Sequence, residues 1–256
     1  MEDSVQYHIK LCKKDGAKYA ILPGDPGRTQ LIASFLENSE EIVFNREFRT
    51  FSGTLEGERV LVVSTGIGAP SAAICMEELA EIGVDTFIRV GTCGGMQTDV
   101  LPGDVIIATG AVRMDGTSKE YMPVEYPAVA DFYVTKALAD AAKELGYRNH
   151  IGIVQAKDSF YGQHNPDSMG CAQELKNKWN AWIKGGCLAS EMESGALFVV
   201  AGVRRLRAGA VFHCVWNQEI AGKGMPQENR TDDTTKAVKT AICALRKLIK
   251  EDKKNG

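Results

Sequence analysis

The sequence predicts an α/β fold with a largely parallel sheet, in a single domain over residues 1–256, and three observations carry that expectation. Short, almost wholly apolar runs alternate with longer amphipathic stretches, as when strands are covered on both faces by helices. The chain is 44% hydrophobic and 25% charged, which suits a globular protein with a full core. No internal repeat or low-complexity linker divides it, and 256 residues is within reach of one domain.

In chain order, the apolar runs predict strands at 19–22 (YAIL), 59–64 (RVLVVS), 86–90 (TFIRV), 104–110 (DVIIATG), 151–156 (IGIVQA) and 208–216 (AGAVFHCVW). Between and after them, helical spacing predicts helices at 70–83, 131–146, 166–184 and 235–251. Gly83 and Gly185 stand where glycine stops a helix. The stretch CLASEMESGALFVVA, 187–201, is ambiguous in a useful way. Ser190 and Glu193 have capping-box spacing ahead of an apolar run, so Glu193 reads either as a helix cap or as a carboxylate held over a ligand.

In open α/β sheets ligands gather at the carboxyl ends of strands. Here those ends read LPGDPGR, STGIGAPS, RVGTCGG and KDSFYGQHNP. Glycine allows close backbone approach, and Arg28 and Arg89 place guanidiniums beside two of the turns. Arg89 lies inside an apolar strand, where an unpaired charge is costly, so a ligand or a fixed ion pair is expected for it. A small anion held by amides and clamped by arginines is the natural occupant. GIGAPS imitates a dinucleotide-binding turn, but the acidic residue that should end the next strand is missing, since Asp85 opens one. GDPGRT lacks the lysine of a P-loop.

A net charge of −3 argues against a sequence-independent nucleic-acid binder. The seven cysteines are scattered without a C-x-x-C pair, which fits reduced thiols rather than a zinc site or a redox dithiol. The first residues carry no apolar signal region, and no run approaches the ~20 residues of a membrane span. The expected location is cytoplasmic, with neither a nucleic-acid nor a membrane partner.

The motifs PGDPGR, NREFRTFSG, STGIGAPS, IRVGTCGGMQ, LPGDVIIATGAVRMDG, EYPAVADF, DSFYGQ and EMES occur in that order along almost the whole chain. In this the sequence resembles the nucleoside phosphorylase family of the hexameric or trimeric type, and within it the bacterial uridine phosphorylase branch. The resemblance implies a mixed, mostly parallel sheet curled into a distorted barrel with helices around it. It implies phosphorolysis of a pyrimidine nucleoside to ribose 1-phosphate and free base, a pentosyl transfer belonging to nucleoside salvage or catabolism. Inorganic phosphate is then a co-substrate, and no other cofactor is required.

Carried over residue by residue, Gly24, Arg28, Arg89 and Thr92 would bind phosphate, with Arg46 reaching in from a neighbouring subunit. Met192 and Glu193 would hold the ribose hydroxyls, with the neighbour's His8 on the 5′-hydroxyl. Phe160, Gln163, Trp216 and Asn217 would form the base end, closed by the neighbour's Tyr7. Glu47, Ile67 and Ser71 match positions where some members hold a monovalent cation, K+ being the candidate, between subunits. A homo-oligomer built of dimers, a hexamer in the family's pattern, follows with shared active sites. Arg28, Arg89 and Glu193 are the expected catalytic set.

The chemistry suits those residue types. Phosphate must lose water to act as a nucleophile, and guanidiniums can replace that hydration in a fork geometry. A carboxylate on the ribose hydroxyls fixes the ring and favours the oxocarbenium character of the reacting sugar. The base end departs from the family: Asn165 and Gln218 stand where uridine phosphorylases usually carry arginines, and Trp216 replaces a small aliphatic residue. Purine-specific members carry an aspartate where Asn217 stands, and asparagine has no acid proton to give. Two other readings stay open on the sequence: an enzyme for a purine or unusual base, phosphorylase or nucleosidase, and a non-catalytic nucleoside-binding protein on the same fold.

Overall fold

A computed structural model describes residues 4–228 and 230–255. The elements run β1 (Tyr19–Pro23), α1 (Gly27–Ala33), β2 (Glu37–Asn45), β3 (Phe48–Leu55), β4 (Glu58–Val63), α2 (Ala69–Glu81), β5 (Thr86–Gly95), β6 (Val105–Met114), α3 (Thr117–Tyr121) and β7 (Ala128–Val129). They continue through α4 (Phe132–Glu144), β8 (Asn149–Lys157), α5 (Phe160–His164), α6 (Ala172–Lys184), β9 (Ala189–Glu191), α7 (Ser194–Arg204), β10 (Arg207–Asn217), α8 (Gln218–Gly222) and α9 (Thr235–Asn255). Among the described residues no helix is long and apolar enough to cross a membrane.

The strands form one mixed sheet in the order β10-β6-β8-β9-β5-β1-β4-β3-β2, and an additional β10–β5 pairing closes β10, β6, β8, β9 and β5 into a five-stranded ring. β5 pairs in parallel with β10 along one edge and with β1 along the other. The β1 register ends at Pro23↔Val90, and the same edge is taken up by β9 only at Gly94↔Ser190. Between the two, β5 has a free edge at Gly91–Cys93. This gap lies at the carboxyl ends of β1 and β5, where the turn after β4 also arrives, and it opens onto the site described below.

The core fills both sides of the sheet. Phe48, Phe87, Phe198 and Phe212 pack with the inner faces of α2 and α7 on one side; Ile21, Ile88, Leu138 and Leu245 meet α4 and α9 on the other. α7 is apolar around its whole circumference, with Ser194–Ala201 buried, because it runs between α2 and the barrel wall.

Each of the six predicted strands is present, but β2, β3, β7 and β9 were not expected. β2 reads ENSEEIVFN, a polar sheet edge with five exposed residues in a row, and polarity of that kind hides a strand from an apolar-run search. One helix expectation needs correcting: the stretch 166–184 is a short 3-10 turn at Pro166–Ser168, then α6 from Ala172, the break falling around Gly170. The far end stops as expected at Gly185, the C-cap of α6, and Gly186, at φ 80°, makes the left-handed turn.

Candidate active site

Three turns converge on the free edge of β5. The β1 turn and the β4 turn are zipped together, with the amide of Gly66 donating to the carbonyl of Gly24 at 2.9 Å. Gly66 has φ 69°, and a Cβ there would meet the Glu47 side chain at 2.8 Å, so glycine is what lets these turns close. The third turn is that between β9 and α7. Together with α5 and the end of β10 they enclose a cavity of about 1030 Å3. Among the residues expected in a site, Gly24, Arg28, Glu47, Ile67, Ser71, Arg89, Thr92, Phe160, Gln163, Met192, Glu193 and Trp216 line it. Tyr7, His8, Arg46 and Asn217 do not.

One end is cationic. Arg89 leaves β5 beneath the gap and is only 4% exposed. Its Nη2 donates to the carboxylate of Glu193, its Nη1 lies 3.5 Å from the Thr65 hydroxyl, and its Nε has no hydrogen-bond partner, Glu191 Oε2 standing 3.8 Å away. Arg28 enters from the first turn of α1, 3.9 Å from Asp25; burial lowers its pKa against the opposing pull of Asp25, with Arg89 adding repulsion. Two guanidiniums that repel each other, one with an idle donor, make a place where an anion replaces missing partners.

Glu193 is not the far end of a capping box. Ser190 lies in β9, and α7 begins at Ser194 with Glu193 in the cap position but with no cap bond from its side chain. The cap is Glu191: its carboxylate accepts from the amides of Glu193 at 2.9 Å and of Ser194 at 3.0 Å. That frees the Glu193 carboxylate to take the amide of Gly68 at 2.7 Å on one oxygen and Arg89 on the other. Burial, then repulsion from Glu193, raises the pKa of Glu191. The pair therefore divides the work, Glu191 holding the helix and Glu193 facing the cavity beside Met192.

The other end is aromatic and polar. Phe160 and His164, both from α5, have ring centroids 4.3 Å apart, and His164 lies 5.6 Å from the Trp216 ring. Gln163 accepts from the Ser190 hydroxyl at 2.6 Å and donates to Gln218 at 3.1 Å. Lys157, Glu191 and Arg230, which the sequence did not single out, also line the cavity, as does Ser190, expected only as a helix cap.

Asn217 is the clear correction at this end. It is wholly buried, its Nδ2 donates to the carbonyls of Gln97 at 2.8 Å and Val100 at 2.7 Å, and its Oδ1 caps α8 by accepting from the amides of Glu219 and Ile220. All four hydrogen-bonding positions of the amide are taken. It has none left for a base.

Tyr7, His8 and Arg46 gather elsewhere, in one patch. The Tyr7 ring is 68% exposed, stands edge-on to His8 at 4.8 Å, and carries Arg46 at 6.0 Å from its centroid. Glu78 anchors the patch, taking the His8 amide at 2.9 Å and its Nδ1 at 2.6 Å. At the rim, Glu47 and Ser71 are joined by a 2.7 Å hydrogen bond, which lowers the Glu47 pKa, and Ile67 beside them is 79% exposed. Among the described residues no group of three or more His, Cys, Asp or Glu is arranged to hold a metal ion.

A sheet closed into a five-stranded ring, with two guanidiniums beside a carboxylate and a cluster of tilted aromatic rings in one cavity, defines a class, and comparison agrees. The family model described as the phosphorylase superfamily matches residues 18–250, and the chain belongs to that family. Among curated proteins it is similar to a uridine phosphorylase of Treponema pallidum, 51% identical over 96% of this chain and 95% of that one. It is also similar to the uridine phosphorylase of Escherichia coli, 39% identical over 97% and 100% of the two chains. A guanosine phosphorylase of Halorubrum lacusprofundi is 41% identical over 80% of this chain and 81% of its own length.

Proposed function

We propose that this chain is a pentosyltransferase that cleaves a pyrimidine nucleoside, uridine foremost, with inorganic phosphate, giving ribose 1-phosphate and free base. The observation that carries the reading is the set of groups lining one cavity: Arg28, Arg89 and Thr92, together with Met192 and Glu193 and with Phe160 and Gln163. Those are the groups that phosphate, sugar and base each need in the reacting complex.

Phosphate sits against Arg28 and Arg89 with the Gly24 turn and Thr92 closing on its oxygens, and takes up the idle Arg89 Nε. A cation at ~4 Å is worth about 4 kcal/mol at an effective dielectric near 20, before desolvation is subtracted. Glu193 accepts from the ribose hydroxyls and, as positive charge grows on the sugar, its own charge stabilises the transition state more than the ground state. The base lies against Phe160, with the Gln163 amide and Trp216 at its edges.

In this reading the enzyme is a cytoplasmic homo-oligomer built of dimers, hexameric in full, and the Tyr7–His8–Arg46 patch completes the partner's site. Glu47 and Ser71 offer a carboxylate and a hydroxyl, oxygen donors suited to a hard cation such as K+, which two copies would share at the rim. That ion would tie subunits together, and no bond-making step needs it.

The test is an assay of uridine, thymidine, cytidine, inosine and guanosine with and without phosphate. Expected is phosphate-dependent release of uracil from uridine, faster than release of either purine. Release without phosphate would indicate a nucleosidase, faster release of a purine would overturn the base class, and no release from any nucleoside would favour a binding protein. Mixing inactive Arg46→Ala and Arg89→Ala chains should restore turnover through hybrid sites, and no recovery after verified exchange would count against sharing.

A further inference from the structure

Lys157 ends β8 and lines the main cavity and also a second one, of about 400 Å3, that lies behind Gln163 against Trp179 and Trp182 of α6. It is 5% exposed, yet its ammonium has one short partner, the Ser190 hydroxyl at 2.7 Å, and a distant one, the Glu191 carbonyl at 3.5 Å. An ammonium has three donors, and a buried charge is ordinarily paired. Arg89, by comparison, has two carboxylates beside it.

The surroundings do not supply what is missing. Asp158, next in the chain, turns away to accept from the Gly116 amide at 2.8 Å. From β9 and the start of α7, Glu191 and Glu193 raise the Lys157 pKa at longer range, as does Cys93 of β5, but burial outweighs them and pulls it down to about 8. From α5, His164 is held below its usual pKa by burial and by the lysine's charge. The ammonium also stands 5.9 Å from the Phe160 ring centroid, so a flat ligand lying on that ring would bring its edge to the idle donors.

We propose that Lys157 is a catalytic residue that donates a hydrogen bond to a carbonyl oxygen of the departing base. This deepens the phosphorolysis reading and rests on it. As a hydrogen phosphate oxygen bonds to C1′, the C1′–N bond breaks and its electron pair stays on the base, spread onto the ring carbonyls. The ammonium balances that charge. The proton carried in by hydrogen phosphate ends on the base nitrogen, leaving ribose 1-phosphate as the dianion, so nothing else is consumed. Ser190 is a positioning residue here: its single proton cannot serve both Gln155 and Gln163, so it fixes which amide face each presents to lysine and base.

The experiment compares Lys157→Met and Lys157→Arg with the parent on uridine and on 5-fluorouridine, whose base leaves more readily. Expected for Lys157→Met is a fall in kcat on uridine of about 100-fold or more, the usual range for losing one preorganised hydrogen-bond donor at a developing negative charge. The fall on 5-fluorouridine should be clearly smaller, the KM for phosphate should stay within about threefold, and Lys157→Arg, which keeps the charge, should recover part of the rate. The parent's kcat should fall as pH rises through about 8, and that limb should be absent from Lys157→Met. Equal losses on both nucleosides, or an unchanged kcat, would overturn the role of Lys157 alone. A parent inactive on every nucleoside would overturn the phosphorolysis reading, and this role with it. Should Lys157→Met fail to fold, the arginine variant and the parent's pH profile decide.

Discussion

β5 and β10 lie side by side, and the charged side chains gathered around the two ends of this pair are arranged on opposite principles. At the amino end, Arg207 donates to both oxygens of Asp252, at 3.0 and 2.5 Å, and through Nε to the Thr86 hydroxyl at 2.9 Å. Tyr19 and Lys18 add bonds to the same carboxylate at 2.8 and 3.1 Å. There charge fastens the last helix to the bottom of the sheet. At the carboxyl end, Arg89 keeps an idle Nε, Arg28 and Arg89 repel each other, and Lys157 has too few acceptors. At the amino end saturated polar groups fasten structure, and around the cavity buried groups left short of partners suit a place reserved for a ligand.

The largest effect that tests this contrast is expected at Glu193. Glu193→Gln removes the negative charge proposed to face the sugar and should lower turnover on the order of a hundred- to thousandfold. Stability should fall by no more than about 3 kcal/mol, the lower end for breaking a buried ion pair, since Glu191 remains 3.8 Å from Arg89. A thermal melt paired with initial rates decides, and near-parental rates would make the pair structural.

At the opposite end the signs should reverse. Asp252→Asn should leave kcat/KM within about twofold while lowering stability by about 2 kcal/mol, the scale of hydrogen bonds to charged groups. The Arg207 hydrogen bond holds the Asp252 pKa below its usual value against the opposing effect of burial. A carboxyl held low contributes stability that is present above its unfolded pKa of about 3.8 and lost as pH falls through the folded value. The gap between parent and variant in denaturant titrations should therefore narrow as pH drops from 5 towards 2. A gap independent of pH would contradict the assignment.

The smallest effect concerns Asn217. Asn217→Asp keeps the α8 cap but turns two donors into acceptors facing the carbonyls of Gln97 and Val100. A loss of about 1–2 kcal/mol is expected, easing as acid protonates the new carboxyl. Unchanged stability at neutral pH would mean that the amide is not saturated as described.

How much of this was legible in the sequence depends on what each residue has to face. Apolar strands covered on both sides announce themselves, as at 59–64 and 104–110, whereas β2 is a polar edge and β9 only three residues long. Closure of the ring rests on pairing between β5 and β10, more than a hundred positions apart, which no local pattern encodes. Arg89 was conspicuous because a charge interrupts an apolar strand. Lys157 was not, because Lys-Asp-Ser at a strand end looks like any solvated turn; only burial reveals it. The spacing of Ser190 and Glu193 suggested a cap, and a cap is present, but Glu191 makes it, an assignment that requires knowing where β9 stops. Asn217 looked like a site residue by position and turned out to be a helix cap by geometry.

The handover along β5, from β1 to β9 with a gap between, has a consequence for the order in which the molecule is made. The gap has a floor once β1 and β5 exist, but its far rim waits for β9 at residues 189–191 and its outer wall for β10, which ends at Asn217. A chain emerging from a ribosome at ~5–20 residues per second thus carries both arginines for several seconds before any pocket can form around them. During that interval the cavity is incomplete, so a ligand that needs all of its walls cannot template the folding. Once the ring has closed, the reverse holds: anything bound in the cavity touches the first and last strands of the ring together. Ligand binding should then resist unfolding of the whole sheet rather than of one loop.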